Sequence, residues 1–311
     1  MKTHNRTPLF FLSLFYLIFT FSQGFAFVPL EPNKFIYFEN QSYQIKEEET
    51  LVDLAVKFNI GYTHLVLANP EVDPWIPPPG KEIILPYQIL IPEEFLLKDK
   101  AYILINLPEM RLYYFRTNSF KVYPIGIGDE GKLPPLGKYI ITRKQEKPFW
   151  YPPPSIRAED PTLPKVVPPG PDNPMGDYAL YLNKGLYAIH GTNKPESIGR
   201  RTTHGCIRLY PEDIKTLWQI VPLNLLVYII YEPFKIALME DKIYLQAFPD
   251  IETLISNPFI YILNKLDKLT ASKGMTYQIN LLVLEKILEK PDGLVHEIGK
   301  LKKLSSYFRN P

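Results

Sequence analysis

Apolar and polar positions alternate with different periods along the chain, and these periods divide it into four stretches. The first is an apolar run, Leu9 to Phe21, preceded by Lys2 and Arg6 and followed by Gly24-Phe25-Ala26. It falls short of the roughly 20 residues that span a bilayer, and its flanks are those of a signal peptide over 1–26 cleaved near Ala26. The second, 40–90, opens with strand-like alternation at Tyr43-Gln44-Ile45. Leu51, Leu54, Ala55 and Phe58 then follow helical spacing behind Thr50 as N-cap, and Asn59-Ile60-Gly61 ends that helix. His64 to Ala68 forms a second short helix closed by Asn69-Pro70, and Glu82 to Pro86 reads as a strand entered through Pro79-Gly80. A small strand-helix-helix-strand unit is expected.

From 98 to 232 the period changes to that of strands. Tyr102–Leu107 and Arg111–Phe115 predict a hairpin, Lys121–Gly126 and Gly137–Ile141 extend it, and Leu225–Tyr231 reads as a buried strand. Pro211 to Ile220 is the one helical stretch expected here, so this region is predicted mainly β. The tail, 233–311, predicts a hairpin over Lys235–Ala247 turning at Asp241. Apolar residues at helical spacing follow over Ile251–Leu269 and Ile279–Leu288, ended by Asp292-Gly293. The tail is therefore expected to be α-rich, with His296 on a charged helix as a surface residue.

Composition narrows this picture. A chain of 311 residues with 46% hydrophobic content can bury two or three cores. A net charge of +2 without a Lys/Arg stripe argues against nucleic acid as a partner. The 32 prolines include runs at 77–79, 152–154 and 168–169, each expected to exclude helix. No second long apolar run follows the first, so no stable membrane span is expected after signal cleavage. The single cysteine, Cys206, cannot form an internal disulfide.

His190-Gly191-Thr192-Asn193 and Thr203-His204-Gly205-Cys206-Ile207-Arg208 gather His, Cys and Arg around glycines. A thiol attacks a carbonyl as thiolate, and a nearby imidazole can take its proton and later return it to a leaving amine. Arg200, Arg201 and Arg208 add positive charge that favours the thiolate. Gly205 gives the backbone room to turn, and amides near Gly205 and Cys206 suit a developing oxyanion. His190, His204 and Cys206 are also a chemically suitable zinc set, but no further ligand stands at a metal spacing, and the alternative of inert core filler fits the clustering poorly. No metal or cofactor is expected.

The second stretch resembles a LysM module, carried by Tyr43, Thr50-Leu51, Ala55, Phe58, Leu65, Ala68-Asn69-Pro70, Gly80, Ile83 and Pro86. It departs at Glu48-Glu49, where that family has Gly-Asp. The third stretch resembles the L,D-transpeptidase family (the YkuD-type catalytic domain), through His190-Gly191-Thr192 and Thr203-His204-Gly205-Cys206-Ile207-Arg208. Pro135–Tyr139, Pro148–Pro153 and Pro169–Gly176 extend the likeness, and Pro134 departs from it. This resemblance implies a β-sandwich-like catalytic domain with Cys206 as nucleophile, His190 as base, Gly191 orienting the imidazole through its carbonyl, and His204 beside the nucleophile. Arg208, Thr203, Gly205 and Asn193 would contact substrate, Arg208 at a peptide carboxylate or in support of the loop. The implied setting is periplasmic. The implied partners are peptidoglycan stem peptides and glycan strands, with an outer-membrane lipoprotein as an alternative acceptor. Stem trimming by an L,D-carboxypeptidase, or a catalytically weak peptidoglycan-binding scaffold, are the competing readings.

Overall fold

The computed structural model describes residues 26–97, 100–184 and 187–303. The signal-peptide segment lies outside the described residues, Ala26 excepted. Among the described residues no single helix is long and apolar enough to cross a membrane.

The N-terminal region contains β1 (Val28–Pro29), β2 (Ile36–Tyr37), β3 (Gln41–Gln44), α1 (Leu51–Lys57), α2 (Tyr62–Ala68), β4 (Glu82–Leu85) and β5 (Ile89–Leu90). β3 and β4 pair antiparallel, giving the expected order of strand, two helices and strand. The Thr50 hydroxyl accepts the Asp53 amide at 3.1 Å while the Asp53 carboxylate accepts the Thr50 amide at 3.1 Å, a reciprocal cap that starts α1. Leu51, Leu54, Ala55, Leu65, Ile83 and Leu85 close a small core. Glu48 adopts φ +66°, a left-handed turn that glycine enters without strain. α2 begins at Tyr62, two residues before the expected His64. Its opening amides are satisfied from far along the chain: Tyr62 N–H donates to the Ile198 carbonyl and Thr63 N–H to the Gly199 carbonyl, both at 3.1 Å.

The central region contains β6 (Tyr102–Asn106), β7 (Arg111–Arg116), β8 (Ser119–Pro124), β9 (Ile127–Gly128), β10 (Gly137–Glu146), α3 (Pro154–Glu159), β11 (Tyr178–Leu182), β12 (Ala188–His190), β13 (Arg201–Thr203), β14 (Ile207–Arg208), α4 (Pro211–Ile220) and β15 (Leu226–Ile230). It is mainly β, as expected. One large curled sheet runs β1-β8-β7-β6-β15-β10-β11-β12-β14, with parallel pairs at β6/β15 and β12/β14. Every residue of β6 is buried because the sheet is covered on both faces. Ile103 and Ile105 enter one core, and Tyr102 and Leu104 the other. Helix α3 corrects the expectation that the 152–154 proline run excludes helix. Pro153 caps it and Pro154 occupies its first turn, where proline loses no hydrogen bond.

The C-terminal region corrects the α-rich expectation. β16 (Phe234–Met239), β17 (Lys242–Ala247), α5 (Pro258–Ala271), β18 (Met275–Ile279), α6 (Leu281–Glu289) and β19 (Val295–Lys303) build a four-stranded antiparallel sheet, ordered β16-β17-β19-β18, with both helices packed on it. α5 starts at Pro258, not Ile251, because the Asn257 side chain caps it. His296 lies on β19, not on a helix, and its ring meets the Asp292 carboxylate at 2.9 Å. A register shift near Glu297–Gly299 leaves Ile298 and Leu301 three apart on the buried side, which imitates helical spacing.

The three regions meet at one residue. Glu109, in the β6–β7 turn, is fully buried. It accepts Lys235 of β16 at 2.5 Å, the Tyr113 hydroxyl at 2.5 Å, Arg111 at 3.1 Å and Asn106 at 3.0 Å. Its backbone carbonyl meets the buried His64 ring from α2. Burial alone would raise the Glu109 carboxyl, but Lys235 and Arg111 outweigh it and hold it at about 2.

Candidate active site

β12 pairs with β11 on one side and β14 on the other, with His190 opposite Arg208 and Ile189 opposite Ile207. Ile189 and Ile207 point into the core. Alternation therefore places Ala188 and His190 on the opposite face, with Arg208 and the preceding Cys206 beside them. The register carries Cys206 next to Ala188, with whose backbone its thiol is hydrogen-bonded. The chain reaches Cys206 through a tight turn. Gly205 N–H donates to the Thr203 hydroxyl at 3.2 Å, and that hydroxyl donates to the Cys206 carbonyl at 2.7 Å. Gly205 has φ +103°, and an added Cβ would lie 2.8 Å from the Tyr187 ring.

His190 is buried, and its Nδ1 lies 2.6 Å from the Gly191 carbonyl oxygen. A carbonyl only accepts, so Nδ1 carries the proton and Nε2 is the basic nitrogen. Burial, reinforced by the Arg208 charge, holds the imidazole down at about 4. Burial pushes the Cys206 thiol up, opposed by the Ala188 hydrogen bond and the Arg208 charge. Both shifts favour a resting pair of neutral thiol and neutral imidazole.

The other expected residues have further partners of their own. His204 turns away to the Glu159 carboxylate of α3 (3.0 Å) and to Lys132 Nζ (3.0 Å). Exposed Asn193 donates to the Pro171 carbonyl at 3.1 Å. Among the three arginines expected to favour the thiolate, Arg208 is the one whose charge acts on Cys206. Arg201 is paired with Glu252 and the Ile251 carbonyl, and Arg200 lies over the Tyr62 ring at 3.7 Å.

Arg208 also lines a cavity of about 450 Å³ with Trp150, Asp172, Asn193, Arg200 and Thr202. Trp150 and Asp172 were legible only as part of a family-like stretch, and nothing local in the sequence tied Arg200 to an aromatic ring more than a hundred residues earlier. Among the described residues no three His, Cys, Asp or Glu side chains are grouped to hold a metal ion.

The sequence profile of the L,D-transpeptidase catalytic domain (YkuD) matches residues 100–229. The probable L,D-transpeptidase ErfK/SrfK of Salmonella typhimurium is 41% identical over 200 residues, 62% of this chain and 63% of its own length. The probable L,D-transpeptidase YbiS of Escherichia coli is 42% identical over 212 residues, 65% of this chain and 68% of its own. The match thus spans just under two thirds of ErfK/SrfK. Among solved structures, L,D-transpeptidase 3 from Mycobacterium tuberculosis aligns with 49% of this chain and 75% of its own at 13% identity, with a TM-score of 0.36.

Proposed function

Because the chain belongs to the L,D-transpeptidase family, we propose that it is a peptidoglycan L,D-transpeptidase in which Cys206 is the nucleophile and His190 its base. The observation that carries this reading is the placement of a thiol and a buried, Nδ1-anchored imidazole on one face of the β12/β14 edge, with Arg208 beside both.

The thiol gives its proton to His190 Nε2 as sulfur attacks the carbonyl of the third residue of a tetrapeptide stem. The tetrahedral oxyanion collapses, the bond to the terminal D-Ala breaks, and His190 returns the proton to the departing amine. The thioacyl-enzyme is then attacked by an amine of a second stem, which gives up a proton through His190 as the cross-link forms and the thiol is regenerated. Attack by a lipoprotein lysine would tether that protein to the wall, and attack by water would trim the stem. Arg208, with one buried guanidinium nitrogen lacking a partner, is suited to a peptide carboxylate in the adjoining cavity.

The N-terminal strand-helix-helix-strand unit is read as a LysM-like glycan-binding module, and the protein as periplasmic after signal cleavage near Ala26. Mass spectrometry after incubation with a carbapenem tests the central assignment. A single covalent adduct is expected on the unsubstituted protein and none on Cys206→Ala; an adduct that survives that substitution overturns it.

A further inference from the structure

The surface where the N-terminal unit meets the catalytic cavity carries aromatic side chains that the reaction at Cys206 does not use. Trp75 is 58% exposed and Ile76 is 83% exposed. Their loop is nonetheless fixed: the Asp73 carboxylate accepts the Trp75 amide at 2.8 Å and the Ile76 amide at 2.9 Å. The Tyr62 and Trp75 rings lie 6.5 Å apart, tilted by 41°. Arg200 joins them to the cavity. It lines that cavity with Glu196 and Thr202, while its guanidinium lies 3.7 Å from the Tyr62 ring centre and 5.5 Å from that of Trp75. Arg200 Nε and Nη2 have no hydrogen-bond partner, so the guanidinium is held by the rings. The two surfaces are locked in place, because the first amides of α2 are bonded to the carbonyls of Ile198 and Gly199 beside Arg200.

We propose that Trp75, Tyr62 and Arg200 form a saccharide subsite continuous with the catalytic cavity, so that stem peptides still attached to their glycan are bound in preference to free peptides. This rests on the reading of stem peptides as substrate. A pyranose ring offers a C–H face to an aromatic ring and hydroxyls around its edge. An exposed indole beside Arg200, which links it to a cavity that Lys194 and Glu196 also line, matches both. The exposed apolar surface here is two side chains wide, smaller than the patches that dock proteins. A stem peptide is covalently joined to sugar, so a polymer with its peptide in the cavity would bring sugar onto the adjoining rings.

Calorimetry on the full chain carrying Cys206→Ala tests this with two probes, a disaccharide-tetrapeptide and the same tetrapeptide without sugar. The sugar is expected to tighten binding about tenfold. Trp75→Ala is expected to remove that gain and leave the affinity for the free tetrapeptide unchanged. Equal affinity for the two probes, or a gain that survives Trp75→Ala, overturns the proposal. Trp75-dependent binding of the disaccharide probe without any affinity for the peptide would keep the subsite and remove the stem peptide as substrate. No binding of either probe overturns both.

Discussion

A thiol raised by burial beside an imidazole held at about 4 stores no ion pair before substrate arrives. His190, the proposed base, is protonated only in acid, so acylation by a carbapenem should stay level from near neutrality downward and fall as pH drops through about 4. Stopped-flow acylation rates against pH check this, and an acid limb centred near an ordinary histidine value would refute it. The same shift acts on stability. The unfolded chain protonates His190 before the folded one does, so its contribution is full above the ordinary histidine range and is lost as pH falls towards about 4. Cys206 and His190, the proposed nucleophile and base, stood out because their chemistry is rare in this chain and their neighbours form a dense motif. His204 was not. It is two residues from Cys206, but its ring is claimed by Glu159 on a helix that proline chemistry seemed to forbid.

Helix α2 shows how an element can depend on a distant loop. Gly199 has φ +79°, and a Cβ there would lie 2.2 Å from the Tyr62 amide nitrogen. Gly80 has the same φ, but a Cβ there would meet nothing within 4 Å. Gly80→Ala should therefore cost only the left-handed strain, about 1–2 kcal/mol. Gly199→Ala should cost clearly more, about 1–3 kcal/mol beyond it, and should slow acylation by displacing the segment that leads to Cys206. Paired urea melts and carbapenem rates separate the two variants; equal losses would mean that the α2 contact is dispensable. Thr50 and its cap were readable locally, so α1 was placed correctly. The start of α2 was not, because its amides are satisfied by residues 198 and 199. On β19, a bulge gave buried residues the spacing of a helix, and a strand was read as something else.

The mainly β character of the central stretch was visible in the changing period of apolar residues, because period reports which faces are covered within a stretch. How the stretches join was not, since joining depends on groups that are apolar by neither pattern nor composition. Glu109 and Lys235 are charged residues in a turn and at a strand start, yet both are fully buried. Glu109→Gln would leave Lys235 and Arg111 sharing a neutral partner and should destabilise the chain by about 3–5 kcal/mol. A further consequence concerns cooperativity. Excising the C-terminal region would strip this carboxylate of Lys235, and excising the N-terminal unit would take His64 from the Glu109 carbonyl and the Pro86 carbonyl from Arg111. The three regions should then melt as one calorimetric transition, with calorimetric and van 't Hoff enthalpies equal, and Glu109→Gln should split that single peak into separate ones.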